Sequence, residues 1–280
     1  MPVVATNTAA NSALRFLNNN SAQAAGSVGK LASGSRIVKA SDDAAGLAIG
    51  TRLMADVTAL TQAGINASQG ASVVQVADGG LGRVGDVLQR MKALAAQSLS
   101  GVPTDTERAF IDAEYQQLAL EITDIAGTTR FNGASLLNGA TPAATQADYF
   151  VGTDVSDTIS VTFSALAGSV AGFTAVLLGI TGSVGTSGAA SASMVAIDRA
   201  IDLVSEARAT AGALISRFEF RGQQIATSLE NIDAAKSAIM DVDLAAEQSK
   251  LVSSQVLVQA AVSAVSQANQ IPQSLLRVLQ

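Results

Sequence analysis

Apolar side chains recur along this chain with a helical period over most of its length. The longest run lies between residues 196 and 239. There Ile197, Ile201, Val204, Ala211, Ile215, Phe218, Ile225, Leu229, Ile232 and Ile239 fall on alternating four- and three-residue steps, interrupted by Arg208, Gly222 and Lys236. Such spacing lays one apolar seam along a helix, as in a coiled coil. At 1.5 Å per residue that helix would be roughly 60 Å long, a rod element and not a piece of a compact globule. A second seam runs through Ile111, Tyr115, Leu118, Ile122 and Ile125. Thr104 and Glu107, just after Pro103, predict a capping box at its start. Gly127 and Phe131-Asn132-Gly133 predict a turn at its end. A third seam holds Leu81, Val84, Leu88, Met91 and Ala95. It continues a helix begun near Asp42-Asp43, whose carboxylates suit a helix N-terminus. Gly64, Gly70, Gly79 and Gly80 argue against that helix being unbroken, since each costs about 1 kcal/mol relative to Ala.

The period changes between residues 147 and 163. Tyr149-Phe150-Val151 and Ile159, Val161, Phe163 read as two short strands, joined by a hairpin loop over residues 152–157. Residues 164–193 are rich in Gly, Ala and Ser, and exposed loops are expected there. The two ends of the chain share a property. Residues 1–29 carry one charged side chain, Arg15, and residues 248–276 carry only Lys250. Leu14, Phe16, Leu17, Val28 and Leu31 make one end apolar. At the other, Leu244, Leu251, Val258 and Val265 recur every seventh position. A soluble monomer seldom exposes two such helices, so they must pair with each other, with neighbours, or both. Part of their order would then come from partners.

Composition narrows the chemistry. Nearly half of the 280 residues are apolar, yet there are only 8 Phe, 2 Tyr and no Trp, which suits long helices packed closely through aliphatic side chains. Charged residues make up 14%, against about 25% in an average domain, so much of the surface must face protein. A net charge of −6 argues against a nucleic-acid partner, which needs clustered Lys and Arg to displace counterions. The absence of Cys removes disulfides and thiolate metal sites, and the absence of His removes the commonest metal ligand and general base. No cofactor is expected. The opening Met1-Pro2-Val3-Val4-Ala5-Thr6-Asn7 lacks the basic and apolar regions of a cleaved signal, so secretion, if it occurs, must use another route.

Three features admit a sharper chemical reading, and each has a plainer one. Ile159–Thr181 lies in an uncharged run long enough to cross a bilayer. Gly168, Gly172 and Gly179 break it, so a hairpin and loop is the reading and no membrane partner is expected. Gly80-Leu81-Gly82-Arg83-Val84-Gly85 matches a dinucleotide-binding turn, but its surroundings have helical spacing and no alternation of strands and helices follows. A flexible point in a long helix is the reading. Asp42-Asp43 and Asp241 with Asp243 are paired carboxylates. Helix-end charge and salt bridging, with Arg36, Arg52 and Arg90 as candidate partners, account for them better than acid–base or metal chemistry.

Leu31-Ala32-Ser33-Gly34-Ser35-Arg36-Ile37, continuing through Ser41-Asp42-Asp43-Ala44-Ala45-Gly46-Leu47-Ala48-Ile49, resembles bacterial flagellin. Further matches follow in order: Leu88-Gln89-Arg90-Met91-Lys92-Ala93-Leu94-Ala95, then Thr129-Arg130-Phe131-Asn132-Gly133 with Leu136-Leu137. Asp241-Val242-Asp243-Leu244-Ala245 with Glu247 comes next, and Gln267-Ala268-Asn269-Gln270-Ile271-Pro272-Gln273 leads to Leu275-Leu276. The resemblance covers residues 1–163 and 195–280. It departs at Ile215-Ser216-Arg217, where the family often has Gln-Asn-Arg.

The resemblance implies a mainly α fold, an elongated antiparallel helical bundle or coiled coil formed by the N- and C-terminal segments, with a small β-hairpin region in the middle. It implies an inner terminal-helix domain (1–40 and 241–280), a helical rod domain (41–163 and 194–240, with a β-hairpin near 147–163) and a short variable outer region (164–193). The function implied is structural and not enzymatic: polymerisation into the flagellar filament for swimming, through burial of apolar terminal helices between subunits. A hook–filament junction protein, which shares such ends, is the alternative. Residues expected at the polymerisation interface are Leu14, Phe16, Leu17, Leu31, Arg36, Ile37, Asp42, Asp43, Leu244, Leu251, Val258, Val265, Asn269, Leu275 and Leu276. The partners implied are copies of the chain, an export chaperone on residues 240–280, and filament cap and hook-junction proteins. The place implied is outside the cell, reached unfolded through a type III channel. In many members, residues matching Gln89, Arg90, Leu94 and Glu114 contact a host innate immune receptor. This chain keeps those four but has Ala93 where an acidic residue is common.

Overall fold

A computed structural model describes residues 7–138, 146–162, 172–176 and 178–278, the last eight of these as backbone only. The fold is mainly α. In chain order the elements are α1 (Thr8–Ser33), α2 (Ala44–Leu99), α3 (Asp105–Thr128), β1 (Arg130–Phe131), β2 (Ala134–Ser135), β3 (Gln146–Phe150), β4 (Thr158–Thr162), α4 (Ser187–Met240) and α5 (Leu244–Val278). Two compact units form, one from Met1–Val57 with Asn231–Gln280 and one from Thr58–Glu230. The chain passes between them within α2 and again within α4.

In the first unit α1 and α5 pair, and a short connection anchors both. Asn7 caps α1 by accepting from the Ala10 amide at 3.0 Å. Gly34 ends it in the left-handed region with φ 71°, a conformation a side chain resists. The following residues bond back to the end of α4: the Arg36 amide donates to the Met240 carbonyl at 2.7 Å, and the Val242 amide to Gly34 at 3.1 Å. Ile37 is buried beneath this crossing. The Asp42 carboxylate accepts from the Val38 and Lys39 amides, and Asp43 caps α2 through the Gly46 amide. Asp243 caps α5 in the same way through Ala245 and Ala246. The paired aspartates are therefore turn and cap residues, satisfying helix-end amides that have no partner within the helix.

The second unit is held by α2, α3 and α4. Leu81, Val84, Leu88, Met91 and Ala95 are fully buried, as their spacing predicts, and each large one contributes about 1.5–3 kcal/mol. The α4 seam differs from its sequence reading in register. Ala200 and Ala207 are buried, whereas their neighbours Ile201 and Arg208 are not. Arg208 does not interrupt the seam: it stands beside it and reaches Asp78 at 3.0 Å. The same substitution of alanine for a larger neighbour occurs in α3, where Ala119 and Ala126 are buried with Tyr115 and Ile122. Alanine at these positions lets helix axes approach closely.

Close approach also explains why α2 is unbroken despite its glycines. A Cβ at Gly70 would stand 2.6 Å from the Phe218 ring, and one at Gly80 2.6 Å from Thr129. Gly80, Gly82 and Gly85 lie in the helix interior. Their amides are spent on backbone carbonyls and cannot cradle a phosphate.

The capping box of α3 forms as predicted. Thr104 accepts from the Glu107 amide, and the Glu107 carboxylate accepts from Thr104. Beyond α3, Asn132 and Gly133 have φ 49° and 80° and close a two-residue hairpin between β1 and β2. β3 and β4 pair antiparallel from Gln146↔Thr162 to Phe150↔Thr158. Ile159 and Val161 point inward, and the Tyr149 ring meets the Phe218 ring edge-on at 5.5 Å. Phe163, expected at the end of this hairpin, lies outside the described residues.

The stretch expected as exposed loops is exposed only in part where it is described: Val176 is open to solvent, but larger side chains beside it are not. Phe173, Ala175, Leu178, Ile180 and Val184 are buried. The strap is tied to α3 and its neighbours: the Phe173 amide donates to Leu137, Val184 to the Asp112 carboxylate at 2.7 Å and Gln116 to Gly182. α4 then begins at Ser187, well before residue 196. The small-residue composition masked a few large side chains that cover α3. Among the described residues no buried side-chain polar atom lacks a partner.

The glycines give a paired expectation. Gly70→Ala should cost the second unit about 1–3 kcal/mol by forcing Phe218 aside. Gly79→Ala, which meets no atom within 4 Å, should add about 0.5–1 kcal/mol. Urea unfolding followed by circular dichroism separates the two, and equal effects would show that Phe218 does not set the spacing of α2.

Candidate functional site

The α1–α5 pair is where the weakly charged ends meet. In α1 the least exposed positions are Ala10, Ala13, Leu17, Asn20, Ala24, Ser27 and Leu31, and in α5 Glu247, Leu251, Ser254, Val258, Ala261, Val265 and Ala268. Both series step by three and four residues, so each helix presents one continuous seam to the other. Two hydrogen bonds fix the register. The Asn7 side-chain amide donates to the Ala268 carbonyl at 2.8 Å, and Ser27 Oγ donates to Glu247 Oε1 at 2.6 Å. Twenty residues along α1 thus match twenty-one along α5 in the opposite direction.

This seam is made largely of small and polar side chains. Five large apolar residues lie in it, but more point elsewhere: Leu14, Phe16 and Val28 on α1 and Leu244, Val252, Val256, Leu257 and Val262 on α5 are all exposed, Phe16 by 60% and Val256 by 58%. Pairing inside one chain therefore leaves most of the sticky surface of both helices uncovered. An apolar exposure of this kind on two adjacent helices marks an interaction surface. The segment Leu244–Gln270 is also long and apolar enough to cross a membrane, because its outward face is as apolar as its seam.

The sequence-predicted residues divide into distinct places. Leu17, Leu31, Leu251, Val258 and Val265 lie in the seam, while Leu14, Phe16 and Leu244 lie outside it. Ile37 is buried within its own unit, and Asp43 is engaged as a cap. Arg36, Asp42 and Asn269 are exposed. The side chains of Leu275 and Leu276 lie outside the described residues. Val252, Val256, Leu257 and Val262 were not singled out by sequence, and Val28 was noted only as part of an apolar end. A seven-residue hydrophobic repeat selects one position per heptad, whereas the seam uses two, so the outward positions could be told apart only once Glu247, Ser254, Ala261 and Ala268 were recognised as inward.

Of the residues matched to receptor contacts, Gln89, Arg90 and Glu114 are exposed. Arg90 Nε and Nη2 both donate to Glu114 Oε1, at 2.9 and 2.6 Å. Leu94 is 2% exposed and belongs to the core instead.

Glu247 is the one buried acid of the seam. Its carboxyl is held below the usual 4.5 chiefly by the Ser27 hydroxyl, then by Lys250, with Lys30 adding a weaker attraction. The two bonds, 2.6 Å from Ser27 and 3.2 Å from Lys250, compensate its loss of water. Asp42 is also lowered, by the amides of Lys39 and Val38. An open groove of about 690 Å³ lies beside Glu247, lined by Gln23, Gly26, Lys30, Asp42, Lys250 and Leu257 among others. Among the described residues no three carboxylates converge as a metal site.

Comparison with known proteins gives a consistent picture. Residues 4–141 match the bacterial flagellin N-terminal helical region and residues 194–279 the C-terminal helical region. The chain is 33% identical over 278 residues to a 30.7 kDa flagellar filament core protein of Treponema maltophilum, covering 95% of each. It is 34% identical over 277 residues to a flagellin of Halalkalibacterium halodurans, covering 99% of each. Among solved structures, a putative flagellar hook-associated protein from Vibrio parahaemolyticus superimposes with a TM-score of 0.58 over 71% of this chain and 100% of that one, at 16% identity. That last likeness concerns the fold alone.

A carboxylate whose value is lowered on folding adds stability that is complete above its unfolded value and is lost as pH falls through the lowered one. The α1–α5 pair should therefore loosen on acidification below about pH 4.5, the unfolded value. Ser27→Ala should weaken the pair at neutral pH and shrink its acid sensitivity. Amide exchange of α1 and α5 between pH 3 and 7 reads both effects. An acid response unchanged in Ser27→Ala would remove Glu247 as its source.

Proposed function

The chain belongs to the bacterial flagellin family, and on that premise we propose how its parts act in assembly. It is a structural subunit that polymerises with copies of itself into the bacterial flagellar filament. The observation that carries the mechanism is the division of labour on α1 and α5: a small-residue seam within the chain, and large apolar residues facing outward. Leu14, Phe16 and Leu244, with Val252, Val256, Leu257 and Val262, are read as contacts between subunits. Leu17, Leu31, Leu251, Val258 and Val265 are read as residues that hold the pair together so that those contacts are presented. Each outward side chain contributes roughly 1.5–3 kcal/mol once fully buried. With Arg15 and Lys250 the only charges over most of both helices, little is lost to burying unpaired ions. Contacts that do not close on themselves then generate an open helical polymer.

Further roles follow from the same surface. Before assembly the outward face of α5 needs cover, and an export chaperone binding residues 240–280 would supply it. Passage unfolded through a type III channel is compatible with a chain that has no Cys to cross-link. Filament cap and hook-junction proteins would meet the same terminal helices at the two ends of the polymer. Gln89, Arg90 and Glu114 are the exposed residues available to a host innate receptor. In this reading the subunit does mechanical and not catalytic work. A hook–filament junction role is not favoured, since the likeness to a hook-associated protein is one of fold, whereas the relatives matched over nearly their whole length are filament proteins.

Seeded polymerisation, read by sedimentation and electron microscopy, tests the mechanism. Val256→Asp with Leu257→Asp should raise the critical concentration at least tenfold, by about 1.4 kcal/mol or more per contact, and leave the monomer's helical content unchanged. Ala113→Ser, on the exposed surface of α3, should polymerise as the parent does. Filaments growing at parental rate with two aspartates on α5 would overturn the assigned contact.

A further inference from the structure

Met240, the last residue of α4, holds the first unit together in two ways. Its carbonyl accepts from the Arg36 amide at 2.7 Å and from Ser35 Oγ at 3.0 Å, which ties α4 to the connection between α1 and α2. Its side chain lies against α2 at Gly50, which is buried. A Cβ at Gly50 would overlap Met240 Sδ and stand 2.8 Å from Met240 Cγ. The thioether thus takes the room that a side chain on α2 would fill. An unbranched, flexible chain suits such a gap, and both residues belong to the same unit.

Thioether chemistry makes this contact conditional. When a hydroperoxide meets Sδ, a sulfur–oxygen bond forms and the O–O bond breaks. The sulfur gives up two electrons, and the peroxide leaves as water or an alcohol. The product is larger and polar. Gly50 offers the new oxygen no donor, since it has no side chain and its amide is spent within α2. Holding the sulfoxide there would bury a polar oxygen against helix backbone, a cost that a solvated position avoids. The oxidised side chain therefore leaves Gly50 for water, and α4 loses its hold on α2.

Placement separates Met240 from the rest of the five methionines. Met91 is fully buried, and Met194 is half-buried on the part of α4 that belongs to the second unit. Met54 is 53% exposed, so its oxidation exchanges one solvated side chain for another. Met1 lies outside the described residues. Among the described methionines Met240 alone is both half-buried, and so within reach of a small oxidant, and set between α2 and α4 in the first unit.

We propose that Met240 is an oxidation site built into this joint: its conversion to the sulfoxide by a hydroperoxide frees the end of α4 from Gly50 and loosens the segment that directs α1, α2 and α4. The consequence for assembly rests on the filament reading, whereas the loosening itself belongs to the single chain.

Hydrogen peroxide at a dose that converts Met54, followed by peptide mass spectrometry and amide exchange of the folded monomer, tests the site. Met240 should be oxidised at that dose. Amide protection over residues 35–50 and 237–243 should fall about tenfold, with that of residues 84–95 unchanged. Methionine sulfoxide reductases of both stereospecificities should restore it. Met240→Leu should keep the parent's protection after peroxide. Met240→Gln, polar and of similar length, should show the loosening without any oxidant. An unoxidised Met240 beside a fully oxidised Met54, or an oxidised Met240 with protection unchanged, would overturn the site. So would a peroxide-treated Met240→Leu that loosens as the parent does. In seeded growth the treated parent should show a critical concentration about threefold higher, reversed by the reductases. No change there would overturn the consequence for assembly. A parent that peroxide loosens but that never polymerises would overturn the filament reading and leave the oxidation site standing.

Discussion

Two helices that can hide only part of each other set the terms for this protein. α1 and α5 meet through Ala, Ser, Asn and a few Leu and Val residues, so the pair is thin and its outer surface stays apolar. Had all the large residues faced inward, the chain would have a well-buried hairpin and little reason to associate. In the proposed mechanism the outward residues are buried between molecules, and the polymer is the state in which these helices are covered.

That arrangement calls for a core elsewhere in the chain. The second unit has one that runs along α2, α3 and α4 and includes the strap through Phe173, Ile180 and Val184. Charge is divided in the same sense. Sixteen of the 23 acidic residues but only nine of the 17 basic ones lie in Thr58–Glu230, which leaves the terminal unit close to neutral. Repulsion is thereby kept away from the helices that must come together, while the acidic unit retains its solubility.

The segment from Gly34 to Gly46 acts as a fitting between α1, α2 and the end of α4. A left-handed glycine, a backbone bridge to Met240 and Asp241, the buried Ile37 and two aspartates used as turn and cap hold it in one conformation. Its length and composition look like a functional motif, and its work in the subunit is to set the direction of three helices. Glu247 has a comparable part in the seam, where its bond to Ser27 fixes which residues of α1 oppose which of α5.

Much of this was legible in the chain before any coordinates. Helical periodicity located the long helices, Thr104 and Glu107 marked the start of α3, alternation marked the hairpin near Tyr149, and the near absence of charge marked the two ends. These are local properties, set by backbone geometry and by the solvent preference of individual side chains. The inward face at Ala200 and Ala207 was not legible, nor was the tolerance of Gly70 and Gly80 within a helix, nor the burial of Phe173, Ile180 and Val184. Each depends on what stands opposite: an alanine is chosen because another axis is close, and a glycine because Phe218 occupies the space its side chain would need. Sequence by itself thus determined which segments are helical and which are sticky. Tertiary structure decided which side of each helix is spent within the chain and which is left for a neighbour, because that choice is made by packing distance and not by hydrophobicity.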